Sequence, residues 1–164
     1  MMKNNIQKNR GYTLLFAVLV SSLVLSVGIS ILTVSKKEFL LASSARESTT
    51  AFYAADSALE CAVYYDFNRR AFVEADLTFA SIVKCADNSP VAFNHAFNNP
   101  TTTYSYDIKL NGLSCARVKV IKNSTNGKAS IESSGYNVGW SGSSCTASSP
   151  KRVERALYYS YSTQ

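Results

Sequence analysis

The feature that most constrains this chain is a run without charge. From Tyr12 to Ser35, 24 consecutive residues include no Asp, Glu, Lys or Arg, and most are Leu, Val, Ile, Phe or Ala. At about 1.5 Å rise per residue, a helix over this run is roughly 36 Å long, enough to cross the hydrocarbon core of a bilayer with some tilt. Lys3, Lys8 and Arg10 precede it, and the positive-inside rule puts that end in the cytoplasm. The remainder then faces outward. A cleaved secretory signal has a shorter apolar core that runs directly into small residues. Here Lys36, Lys37 and Glu38 separate the run from Ser43-Ser44-Ala45, so that reading is disfavoured. Two others stand: a plain signal anchor that keeps its basic leader, and a helix processed at Gly11, the glycine between leader and run.

With 164 residues, the chain has room for one modest domain besides an anchor. The net charge of +6 is scattered along the sequence, with Lys151, Arg152 and Arg155 far from the N-terminal cluster. No basic stripe with interleaved aromatics appears, so no nucleic-acid partner is expected. Cys61, Cys85, Cys115 and Cys145 lie 24, 30 and 30 positions apart, with His95 the single histidine. Zinc sites need close ligand pairs, and this spacing has none. An even number of separated cysteines in an outward-facing domain reads as two disulfides. Of three pairings, Cys61–Cys85 with Cys115–Cys145 is the favoured one; four reduced, buried thiols are the plain alternative.

Between Lys36 and Arg70 there is neither proline nor glycine, so nothing stops a helix. Ala45, Phe52, Ala55, Leu59, Ala62 and Val63 recur at helical spacing and define an expected packing face, with Arg46, Glu47, Glu60 and Asp66 largely elsewhere. One helix from about Tyr12 to Asn68 is expected, roughly 85 Å long, with Gly28 the point at which it would loosen. The stretch Ala71–Thr103, with the Asn-rich "FNHAFNNP", reads as a long loop with a short helix near Leu77 to Val83. From Tyr104 the period falls to two: Tyr104 to Leu110, Cys115 to Lys122, Lys128 to Tyr136 and "RVERALYYSY" are strands. Asn111-Gly112 and Asn123-Ser124-Thr125-Asn126-Gly127 are turns between them. Consecutive strands with short connections make an antiparallel sheet. The expected fold is α+β: a long N-terminal helix packed on a C-terminal antiparallel sheet of about four strands.

No enzyme constellation emerges, and no catalytic residue, metal ligand or cofactor is assigned. His95 has no second histidine and no nearby cysteine to work with. No G-x-S-x-G elbow occurs. The glycine-rich "SGYNVGWSGSS" follows a strand rather than opening a helix, which does not suit a phosphate cradle. Asp87-Asn88-Ser89 is three oxygen-bearing residues, too few for a calcium site. Tyr158, Tyr159 and Tyr161 form an adhesive face if exposed; such residues more often fill a sheet's core and rim.

Two motifs carry a family resemblance. Arg10-Gly11-Tyr12-Thr13-Leu14, after a short basic leader, resembles the processing site of type IV prepilins and pseudopilins, with Tyr12 where that family more often has phenylalanine. "AFYAADSALECA", Ala51 to Ala62, resembles the segment that follows the membrane helix in PilX-type minor pilins. The resemblance covers roughly the first 70 residues. It implies a leader over 1–11, cleaved after Gly11 by a prepilin peptidase, and N-methylation of Tyr12. A transmembrane and assembly helix over 12–35 and an extracytoplasmic pilin-like domain over 36–164 follow from it. The implied partners are other pilins or pseudopilins, met through the N-terminal helix, and an inner-membrane assembly platform. The implied location is the cytoplasmic membrane, single-pass with the N-terminus inside, and then an extracellular filament. Family members usually carry a glutamate at the fifth position after the cut, thought to pair with a neighbour's terminal amine. Here that position is Phe16, and the next acid is Glu38. Tip-capping pseudopilins likewise lack the acid, so the resemblance implies a subunit at or near a filament tip that primes assembly or contributes to adhesion.

Overall fold

The computed structural model describes residues 10–72, 83–86 and 93–162. Most of the expected leader, the short helix near Leu77 and the Asp87-Asn88-Ser89 stretch lie outside the described residues. The chain forms two compact units, Met1–Ser44 and Ala45–Gln164.

One helix, α1 (Arg10–Arg69), is followed by five strands: β1 (Phe93–Asn98), β2 (Thr101–Lys109), β3 (Cys115–Asn123), β4 (Lys128–Tyr136) and β5 (Glu154–Ser162). Gly28 is helical like its neighbours. The helix stops where Arg70 takes a left-handed backbone, φ 48°. The next N–H, from Ala71, donates back to the Tyr65 carbonyl at 3.1 Å and satisfies one of the orphan acceptors of the last turn.

The sheet is a meander in the order β1-β2-β3-β4-β5, every neighbour antiparallel. Its turns follow from local chemistry. After β3, Asn123 Oδ1 accepts from the Thr125 and Asn126 amides at 2.9 and 3.2 Å. Gly127, at φ 59°, then supplies the positive φ that brings the chain back. The α+β fold is as expected, with one strand more. Residues 93–98, expected to be loop, pair with β2, His95 facing Tyr104 in register. β1 is short, asparagine-bearing and at the sheet's edge, so it lacks the buried apolar face that marks β2, β3 and β4. The other strand limits moved little: β2 begins at Thr101 rather than Tyr104, and β5 at Glu154 rather than Arg152.

The core lies between α1 and one face of the sheet. Tyr104, Tyr106 and Ile108 of β2, Ala116, Val118 and Val120 of β3, and Ile131 of β4 meet Ala58 and Ala62 of the helix, with Phe72, Val83 and Cys85 beside them. Each buried Val, Ile or Phe here contributes about 1.5–3 kcal/mol. The helix face that packs overlaps the expected one at Ala55 and Ala62, with Leu59 and Val63 at its margin, but is centred on alanines. Ala51, Ala54, Ala55, Ala58 and Ala62 are buried, whereas Ala45 is exposed, Phe52 is 43% exposed, and Leu59 and Val63 are half-buried. The reason is close approach. A Cβ placed on Gly135 of β4 would fall against the Ala51 carbonyl, the Ala55 nitrogen and the Ala55 Cα, the last at 2.8 Å. Helix backbone and strand backbone touch, and only small residues fit there. The Ser133 hydroxyl, fully buried, donates to the Ala55 carbonyl at 2.8 Å across the same contact.

Two disulfides close the C-terminal unit, Cys61–Cys85 and Cys115–Cys145, the favoured pairs of the three possible pairings. The first ties α1 to the segment after it. The second ties the start of β3 to the loop between β4 and β5.

Candidate functional site

Over Tyr12–Val34, within the N-terminal unit, the surface is predominantly apolar. Tyr12 is 75% and Phe16 57% exposed, and large aliphatic side chains stand exposed at every helical angle through Val34. Hydroxyls in this run turn back onto their own helix. Ser22 donates to the Leu19 carbonyl at 2.8 Å, Ser26 to Leu23 at 3.0 Å, Ser30 to Ser26 at 2.9 Å and Thr33 to Ile29 at 2.9 Å, and Ser21 bonds to Ala17. Each side-chain donor is thereby satisfied without water. The helix is long and apolar enough to span a membrane, and its lateral surface offers apolar contact alone. Gly11 and Tyr12 lie in its first turns, since α1 already begins at Arg10. Phe16 lies one helical turn beyond Tyr12.

In the C-terminal unit two polar clusters stand out, and sequence reading found neither. Asp66, on the buried side of α1, accepts from Lys122 Nζ of β3 at 2.5 Å and from the Tyr161 hydroxyl of β5. Burial raises the Asp66 carboxyl above its ordinary value; the hydrogen bond and charge of Lys122 pull the other way but less. Tyr106 beside it is pushed up as well, by burial first and then by the Asp66 charge. Helical spacing sets Asp66, with Arg46, Glu47 and Glu60, largely off the apolar face; the fold instead buries it beside the core.

The second cluster lies on the other face of the sheet. Arg117 holds Asp107 with two hydrogen bonds, 2.8 and 3.0 Å, and that hydrogen bonding raises the guanidinium pKa. Asp107 Oδ2 also accepts from the Cys145 amide at 2.8 Å, fixing the disulfide-bearing loop to β2. Arg152 donates to the carbonyls of Ala147 and Cys145 and lies 3.9 Å above the Tyr136 ring. The glycine-rich loop around Trp140 is thus fastened down on a polar framework. Asn137 extends that framework, linking Glu47 of α1, the Lys151 carbonyl and the Val153 amide.

His95 is exposed, with its ring 5.4 Å from that of Tyr104. Among the described residues there is no group of three His, Cys, Asp or Glu side chains positioned to hold a metal ion. The three tyrosines of β5 separate: Tyr158 is 69% and Tyr159 41% exposed, while Tyr161 is half-buried against Phe67 and Asp66. No protein-family model matches the chain, and neither a curated protein nor a solved structure does.

Proposed function

We propose that this chain is a minor pilin or pseudopilin, a structural subunit of a type IV pilus or related filament, at or near its tip. The observation that carries the reading is the uncharged run that begins directly after Arg10-Gly11 and continues, on one helix, into a disulfide-stapled sheet unit. In this reading the leader is removed after Gly11 by a peptidase at the cytoplasmic face. Tyr12 becomes the N-methylated terminus, and the helix passes sideways from lipid into a bundle of like helices on the assembly platform. Each step exchanges one apolar surrounding for another. Phe16 bears on position in the filament. A terminal amine buried in a bundle is costly unless paired, and with no acid between Tyr12 and Lys37 this helix brings none for a neighbour. A subunit with no predecessor needs none, which is the situation of a tip.

Phe16 equally suits a helix that never leaves the bilayer, so the second reading is a bitopic, signal-anchored protein with an outward-facing binding domain. Mass spectrometry of the mature N-terminus separates the two. The filament reading expects Tyr12, methylated; an intact leader on the working protein discards it in favour of the anchor. Immunogold labelling then tests position, and even spacing along filaments would exclude the tip.

A further inference from the structure

The face of the sheet turned away from α1 carries a depression of about 440 Å³ over the end of β3, the start of β4 and the end of β5. The register decides which side chains line it. Ile131 lies in the core and Tyr161 turns inward to Asp66, so alternation sends Tyr158, Ser160 and Ser130 to the opposite face. Ser130 and Ser160 are cross-strand partners, as are Lys128 and Ser162. Short hydroxyl side chains therefore make the floor. Tyr158 closes one end, 69% exposed, and among the described residues neither its ring nor its hydroxyl has a partner. Lys128 stands at the other end, four positions along β4 from Glu132, the partner of Tyr158, which is about 13 Å. It is the one charged side chain among the described residues of the lining. Glu132 does not line the depression and has Lys119 opposite it on β3.

These groups select a ligand by exclusion. A hydroxyl floor gives nothing to an acyl chain. The main-chain groups of β3 and β4 are already spent in the sheet ladders, so an extended peptide finds no backbone partners on this face. One cation is too few to follow a nucleic-acid backbone. A sugar meets each part. Its C–H face lies on the exposed tyrosine ring, its hydroxyls exchange hydrogen bonds with the serines, and a carboxylate reaches the ammonium. The separation of Tyr158 and Lys128 matches neighbouring rings of one chain rather than two groups on one ring. We infer that this depression binds a uronate-bearing polysaccharide, one ring stacked on Tyr158 and the carboxylate of the next beside Lys128. The site lies within the Ala45–Gln164 unit. It serves a filament subunit or a tethered receptor alike, so its test is separate from theirs.

Isothermal titration calorimetry of the full chain in detergent micelles, with tetragalacturonate as the probe, tests the site. Saturable binding is expected. Tyr158→Ala weakens it on the order of tenfold, whereas Tyr158→Phe, which keeps the ring, retains it. Lys128→Gln weakens it about threefold and leaves binding of the methyl-esterified probe unchanged. Lys151→Gln, which removes a cation elsewhere, has no effect. Absence of binding to tetragalacturonate overturns the inference. So does an ester that binds as tightly as the acid, or a loss at Lys151→Gln equal to that at Lys128→Gln. A single-stranded oligonucleotide that binds more tightly through the same two residues overturns it as well.

Discussion

The two halves of α1 are opposite solutions to burying a helix. From Tyr12 to Val34 the large side chains are exposed; from Ala51 to Asp66 alanines form the inner face, Leu59, Val63 and Tyr65 pack at its margin, and Phe52, Tyr53 and Tyr64 stay out. The second half has its partner in the chain, and that partner approaches so closely that Gly135 meets helix backbone. Fifteen large apolar side chains stand exposed between Tyr12 and Val34. Leaving them in water forgoes on the order of 25 kcal/mol or more, beyond the roughly 5–15 kcal/mol by which a domain is stable. That half therefore requires lipid or other helices around it. Size and hydropathy of side chains do not predict burial here; the distance to the neighbouring backbone does.

The comparison breaks most readily at the staples, one on the second half of the helix and one within the sheet it packs on. Replacing Cys61 and Cys85 by serine, or Cys115 and Cys145, is expected to cost about 3.5 kcal/mol per bridge from loop entropy. The loops of 24 and 30 residues are similar enough that the two losses match. Urea unfolding followed by the single Trp140 measures both, and a bridge whose removal changes nothing would show that helix and sheet hold without it. Gly135→Ala comes next, at about 3 kcal/mol, the upper end of ordinary overpacking. Its clash is with main-chain atoms, so truncating Ala55 to glycine gives no rescue; recovery by that second change would mean that the contact is between side chains. Ala58→Leu is expected to cost about 2 kcal/mol, whereas Ala17→Leu, in the exposed half, leaves the unfolding of the sheet unit within about 0.5 kcal/mol. Equal effects at the two alanines would erase the distinction between the halves.

How much of this was legible in the sequence depended on the range of the interaction. The turns at Asn111-Gly112 and Asn123 to Gly127 are written locally, and β2, β3, β4 and β5 show their alternation within nine residues. β1 was missed although Phe93, His95 and Phe97 do alternate, because asparagines dominate the segment and an exposed edge strand needs no buried stripe. The helical spacing of Ala45, Phe52, Ala55, Leu59, Ala62 and Val63 places Ala55 and Ala62 on the inner face correctly and Ala45 and Phe52 wrongly; recognising that alanines line the contact needs Gly135, some 80 positions on. The Asp66–Lys122 and Asp107–Arg117 pairs were invisible for the same reason. Each joins residues that only the meander brings together, 56 and 10 positions apart.

The smallest expected effect concerns Asp66, the one acid on the alanine face. Burial holds its folded pKa above the ordinary 3.8 despite Lys122. Between that ordinary value and the raised one, the folded chain binds more protons at this site than the unfolded chain. Stability from this group therefore falls as pH rises through the window and is flat above it. A carboxylate stabilised by a dominant ion pair behaves oppositely, gaining stability as pH rises. Asp66→Asn cannot titrate, so subtracting its unfolding free energy from that of the unaltered chain across acid pH isolates the term. The difference is expected to move in favour of the unaltered chain as pH is lowered. If it moves the other way, Lys122 outweighs burial, and Asp66 is a stabilising anchor of the helix rather than a charge tolerated beside the core.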